Sequence, residues 1–187
     1  MKSLYAFALL ANAWVLLAVL AAAFISQFVA GEPPCPLCVM QRIAMMMAAL
    51  GPCTTLLMAN RDGLSQRAIA IGAGIGILAS LLGAAISIRQ VLLHILPDDP
   101  GFGSPVLGYH LYTWAAIAFA CNIAAAGAQL VGLRWYSGNT DYRPPLVWLT
   151  AMALGVMLVA NMLSVIAEAG FAWQLPENPS SYLLFSR

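Results

Sequence analysis

Charge is what this sequence has least of. Lys and Arg number 8 and Asp and Glu number 7 in 187 residues, so only 8% of the chain is charged. Ordinary globular domains carry about 25%. A soluble domain of this length could not hide a chain that is 62% hydrophobic. The scarcity of charge therefore excludes that class and leaves an integral membrane protein. The net charge of +1 argues against a nucleic-acid-binding face. Histidine is scarce too, with 2 residues against 4 cysteines. No internal repeat and no low-complexity segment beyond the apolar bias is present, so one bundle is expected rather than several domains.

Long apolar runs are abundant. They cover about 4–30, 39–59, 68–93, 108–131 and 146–169. Roughly 20 residues suffice to cross about 30 Å of hydrocarbon. The expected fold is therefore an all-α integral membrane protein, a four-helix transmembrane bundle with a fifth transmembrane helix, forming one transmembrane domain over 1–187. The first run is too long for a signal-peptide core of about 7–15 residues. Phe28-Val29-Ala30 is also not a small-x-small cleavage site, so the run is expected to stay as a span. The Asn60–Arg67 segment is a short polar turn, Pro97-Asp98-Asp99-Pro100-Gly101 stops a helix, and a polar connection covers Arg134 to Pro145. In the third run Gly72, Gly76, Ala79 and Gly83 share one face. Small residues let membrane helices approach closely, and packing within the bundle is the expected use of that face.

Orientation follows from Lys and Arg. Lys2, Arg61, Arg67, Arg134 and Arg143 fall on one side, whereas the other holds Arg187, with Arg42 and Arg89 at helix ends. The richer side is expected to be cytoplasmic. That puts the N-terminus in the cytoplasm and the C-terminus outside or in a periplasm, with Cys35 and Cys38 on that outer side. Disulfides form and persist in such a compartment.

The chemistry is expected at Cys35-Pro36-Leu37-Cys38, where one apolar run ends and the next begins. Cys-x-x-Cys spacing can close a small, reducible ring, although the same spacing also serves metals. Cys38 sits near a helix N-terminus, which favours an anion. Arg42 lies one turn on and adds a positive charge. Both favour thiolate, the nucleophilic form. Cys35, in a proline-fixed loop, is expected to be the thiol open to a soluble partner, with Cys38 facing an acceptor in the membrane. The stripe Cys38, Arg42, Met45 or Met46, Ala49 and Cys53 runs down one helix face.

These residues carry a family resemblance. Cys35-Pro36-Leu37-Cys38 followed by Gln41-Arg42, between two apolar spans, resembles disulfide bond formation protein B, the quinone-linked membrane thiol oxidase family of bacteria. The likeness covers roughly the first four spans and includes Leu107-Gly108-Tyr109 before the fourth. It implies a quinone, ubiquinone or menaquinone, bound beside Cys38 and Arg42. It implies that Cys35 and Cys38 are the catalytic pair. It implies a reduced partner of the periplasmic thioredoxin-fold DsbA type, and a place in the bacterial inner membrane, in contact with lipid. His94 is then a candidate to bond a quinone carbonyl or take its proton. Met46, within Met45-Met46-Met47, is a candidate for a pliable wall against the ring.

The chain departs from the family pattern in two respects. Typical members carry a second cysteine pair in the second outer loop, and none lies between His94 and Tyr109 or in 168–179. Cys53 and Cys121 lie inside spans and are expected to pack. The fifth span also exceeds the four-span plan. Either the first pair exchanges directly with the partner, or the chain is a non-catalytic membrane subunit of a larger complex that keeps the fold, with or without quinone or lipid binding. A metal held by two Cys and two His is disfavoured, since His94 and His110 sit on separate helices, so no metal is expected. An Arg89–Glu168 ion pair is expected, and Asn12, Asn122 and Asn161 are expected to hydrogen-bond between helices.

Overall fold

The computed structural model describes residues 2–136, 145–170 and 182–184, leaving side chains undescribed at 2, 3 and 60–62. Of the charges that set the expected orientation, the side chains of Lys2 and Arg61, and the whole of Arg143 and Arg187, lie outside the described residues. Among the described residues there is no β-strand. The helices are α1 (Lys2–Phe28), α2 (Pro36–Asp62), α3 (Gln66–Leu93), α4 (Leu111–Gly132) and α5 (Leu146–Ala169), with a short 3-10 turn, Leu133–Trp135, after α4. All five α-helices are long and apolar enough to cross a membrane.

Local signals set the helix ends. Pro36 occupies the first turn of α2, where its missing N–H costs nothing. Ser65 caps α3 by accepting from the Ala68 amide. The fourth apolar run starts before its helix does. Leu107 and Gly108 both have positive φ, 53° and 84°, and form a tight turn closed by paired hydrogen bonds between Val106 and Tyr109. Leucine rarely adopts that conformation, so the turn carries strain.

The close approach of α2 and α3 rests on small residues. A side chain at Gly51 would strike the Gly72 carbonyl and the Gly76 backbone. The single Thr55 hydroxyl hydrogen is shared between the carbonyls of Gly51 and Ala68, both 3.1 Å from Oγ1, tying the two helices across the gap. Gly83 leaves room for the Phe119 ring of α4. The small-residue face of α3 is thus consumed inside the bundle. Two of the three expected asparagines bond between helices. Asn12 Nδ2 donates to Asn122 Oδ1 at 2.8 Å, and Asn122 donates to Ser80 Oγ at 2.7 Å. Asn161 Oδ1 has no partner among the described residues.

Helix α5 packs against α2 and α1. Its lipid-side face shows Trp148, Met152, Val156 and Met162. Its buried face is polar near its C-terminal end, with Asn161, Ser164 and Glu168. The described residues 182–184 fold back on that end. The amides of Leu183 and Leu184 donate to the carbonyls of Glu168 and Ala167.

Candidate functional site

Cys35 and Cys38 form a disulfide with their Cα atoms 5.0 Å apart. Cys35 is the N-cap of α2, and its sulfur accepts from the Cys38 amide at 3.2 Å. This corrects the expectation that Cys35 is the open thiol. It is only 6% exposed, while Cys38 is only partly buried and faces a cavity. The cause is Gln90 of α3. Its Nε2 lies 3.3 Å from the Cys35 sulfur and 3.6 Å from that of Cys38, covering the pair from the bundle side. Gln41 Nε2 holds Gln90 in place through its Oε1 at 2.8 Å.

Arg42 is buried, one turn below Cys38 on α2. Its guanidinium donates to Gln27 Oε1 and, at 2.8 Å, to the Ala23 carbonyl, and it lies 4.8 Å from the centre of the Phe24 ring. A buried cation needs such partners, because the apolar interior disfavours an unpaired charge. Gln27 passes the network on. Its Nε2 donates to Ser164 Oγ at 2.6 Å and to the Tyr182 hydroxyl at 3.0 Å.

The cavity measures about 680 Å³. It is a trough between α1 and α4, backed by α2. From Ser26 to Ala8 along α1 it runs about 27 Å at the helical rise. Its polar end holds Cys38, Gln41, Arg42 and Glu32, and its far end reaches Asn12 and Asn122. Between them the wall is almost wholly apolar, with Val15, Leu16, Val19 and Ala118. The α3–α4 connection roofs it with Phe102, Gly103, Val106 and Leu107.

Two expected contributors stand elsewhere. Met46 is 1% exposed and packs in the core with Ala49 and Phe119, and the neighbouring Met45 meets the cavity instead. One residue along a helix turns the side chain by about 100°, and periodicity could not choose between the two. His94 lies off the cavity wall. Its Nδ1 is 3.1 Å from Asp99 and its ring stacks on Tyr112 at 5.7 Å, so it organises the loop. The expected Arg89–Glu168 pair is also absent among the described residues. Arg89 is exposed, whereas Glu168 is fully buried beside Arg42. Cys53 packs in the core as expected, while Cys121 is exposed and lines the trough. No cluster of three metal-ligating side chains exists among the described residues.

Sequence reasoning missed Gln27, Gln90 and Glu32. A signal for the glutamines was present. Gln27 closes one apolar run, Gln41 opens the next and Gln90 nears the end of the third. Successive helices run in opposite directions, so all three fall at the Cys35 end.

Glu32 fastens the roof. It accepts from Ser26 Oγ at 2.8 Å, from the Ser104 amide at 2.9 Å and from the Ser104 hydroxyl. The Ser104 hydroxyl hydrogen bond is the main cause holding its carboxyl below the usual range. A depressed carboxyl stabilises the fold above its unfolded value and loses that contribution as pH falls through the folded value. The clasp is therefore expected to hold at pH 6 and release in acid, below the ordinary value of 4.5. Limited proteolysis of residues 95–110 in detergent checks this. Cleavage should rise on acidification with an acid-active protease, and Glu32→Gln should cleave faster at pH 6. Equal cleavage of the two proteins at pH 6 would remove the clasp.

The arrangement defines a class: a multi-pass helical membrane protein with a disulfide-bonded Cys-x-x-Cys pair at one end and an apolar trough beside it. The particular family follows from comparison. Residues 5–104 match the family model described as Disulfide bond formation protein DsbB. A disulfide bond formation protein B from Aromatoleum aromaticum is 31% identical over 137 residues, covering 72% of this chain and 80% of that protein. One from Chromobacterium violaceum is 39% identical over 77 residues, covering 41% of this chain and 44% of its own length. One from Methylococcus capsulatus is 40% identical over 93 residues, covering 49% and 54%. The chain belongs to the disulfide bond formation protein DsbB family. Its match to the Chromobacterium protein spans less than half of that relative. No solved structure matches the chain.

Proposed function

We propose that this protein is a membrane thiol:quinone oxidoreductase. A soluble dithiol, of the thioredoxin-fold DsbA type, reduces the Cys35–Cys38 disulfide by thiol–disulfide exchange and leaves oxidised. A quinone, ubiquinone or menaquinone, would be held at Arg42 and Gln41 and would supply a two-electron, two-proton acceptor, so that the Cys35–Cys38 dithiol could close again to the disulfide. The membrane is the bacterial inner membrane, with the Cys35 end of the bundle facing the periplasm and the N-terminus in the cytoplasm.

The observation that carries this reading is the sharing of one cavity wall by Cys38 and Arg42. The donor set fits a quinone. Arg42 and Gln41 supply N–H groups at the polar end, and the long apolar trough suits an isoprenoid tail. Met45 takes the wall position that Met46 cannot. Cys38 is the sulfur that faces the acceptor. Cys35 is covered, so attack of a soluble dithiol on its sulfur requires Cys35 to move off Gln90.

The burial of Cys35 favours a second reading, a non-catalytic membrane subunit whose disulfide only staples the loop. One experiment separates the two. The protein is reduced, freed of reductant and mixed anaerobically with ubiquinone or menaquinone. The pair should reoxidise with one quinone reduced per disulfide formed, and Cys38→Ser should reduce none. Persistence of free thiols over hours would leave only the subunit reading.

A further inference from the structure

Glu168 is the one carboxylate buried within the helical core among the described residues, and neither of its oxygens has a hydrogen-bond partner there. It stands on α5, beyond the residues that the family model matches. A buried carboxylate without partners is costly unless a positive charge offsets it. Arg42 is the charge that faces it. No direct ion pair joins them among the described residues, and two of the five guanidinium N–H groups go to Gln27 and Ala23 instead. A short polar chain from Arg42 ends one turn short of the carboxylate. Arg42 donates to Gln27, and Gln27 donates to Ser164, one turn before Glu168 on the same helix.

The placement is asymmetric. Cys38, Gln41 and Arg42 line the trough, but Glu168 and Ser164 do not. Arg42 therefore shares the trough wall with Cys38 while interacting electrostatically with a carboxylate that is off that wall. We propose that Glu168 is a positioning residue: it holds Arg42 against α1 and attenuates the field that Arg42 exerts on Cys38, so that the added fifth helix sets the reactivity of the dithiol. This rests on reading Cys35–Cys38 as a redox pair.

The other charged or titratable groups near this site are Glu32, which lines the same trough, Tyr112 of α4, and Tyr182, whose hydroxyl meets Gln27. His110 lies close enough to Glu32 to act on it electrostatically. None of these is altered by a substitution at 168, which makes Glu168→Gln a clean probe.

The test uses the full chain with Cys35→Ser, Cys53→Ala and Cys121→Ala, so that Cys38 is the one thiol left. Serine at 35 keeps a competent N-cap. Iodoacetamide alkylation is followed by mass spectrometry from pH 6 to 9. Adding Glu168→Gln frees the Arg42 field, so more thiolate forms and alkylation at pH 7 should rise about threefold, with the profile displaced toward acid. In an Arg42→Gln background the same change should have no effect. An unchanged profile, or an equal change in both backgrounds, overturns the proposal. Should Glu168→Gln fail to fold alone, thermal stability decides. Arg42→Gln strands the carboxylate, so the double variant should melt above Arg42→Gln, and a double variant no more stable than that single one also overturns it. None of these measurements uses quinone. Loss of the oxidase reading and loss of this one are therefore distinguishable.

Discussion

Arg42→Met should slow reoxidation of the reduced protein by quinone about a hundredfold, the usual scale for losing one preorganised donor in a dry site. Arg42 is the only cation on the trough wall among the described residues, and it sits one helical turn from Cys38. In the proposed mechanism it favours the thiolate and offers N–H groups to the acceptor oxygen. Methionine keeps the apolar stem and removes both. Arg42→Lys keeps the charge but not the planar fork that reaches Gln27 and Ala23 together, so an intermediate rate is expected. The same Met variant leaves the Gln27 and Ala23 oxygens without their donor and Glu168 without its counter-charge. Breaking such a buried set costs about 3 kcal/mol. Anaerobic stopped-flow absorbance reads the rate, and a thermal melt in detergent reads the stability. A rate within threefold of the parent would take Arg42 out of the proposed site.

Gly51→Ala should destabilise the bundle by about 3 kcal/mol, the upper part of the range for overpacking. The added methyl would meet the Gly72 carbonyl and the Gly76 backbone. Backbone cannot rotate away as a side chain can, so α2 and α3 must separate. That separation strains the Thr55 tie to Ala68 and shifts Gln90 relative to the disulfide it covers. Gly74→Ala is the matched control. Its methyl would meet open space, and alanine favours helix, so stability should hold or rise slightly. Unfolding titration of the two variants in mixed micelles checks the contrast. Equal stability of both would show that the helices have room to spare.

The fold was legible because a bilayer leaves a chain few choices. Backbone groups in hydrocarbon must bond within their own helix, so a long apolar run reads directly as a span. The Leu4 and Leu146 runs, at opposite ends of the chain, needed no other information. The start of α4 was less legible. Leu107 and Gly108 extend the apolar pattern, yet they turn, because paired bonds between Val106 and Tyr109 outweigh the local preference of leucine.

The site was half legible. Cys35, Cys38 and Arg42 are close in sequence, so helical periodicity fixed their spacing without any tertiary information. Gln90, Gln27 and Glu168 come from three other helices, and periodicity within one helix is silent about its neighbours. Exposure also failed where it depended on a neighbour: Cys35 was expected to be open, and Gln90 covers it. The choice between Met45 and Met46 failed similarly, since the rotation of α2 about its own axis is set by what packs against it.

Sequence alone determined that this is a bundle of membrane helices with a Cys-x-x-Cys pair at a helix N-terminus and a cation one turn on. Each of those statements concerns residues within a few turns of one another, where backbone geometry is the whole constraint. Only the tertiary structure decided which sulfur faces the trough, which methionine lines it, and that Glu168 is buried toward Arg42 while Arg89 is exposed. Those outcomes depend on the rotation and depth of separate helices, which are fixed by interhelical packing at Gly51, Gly72 and Gly83 and by the cost of leaving a buried charge alone.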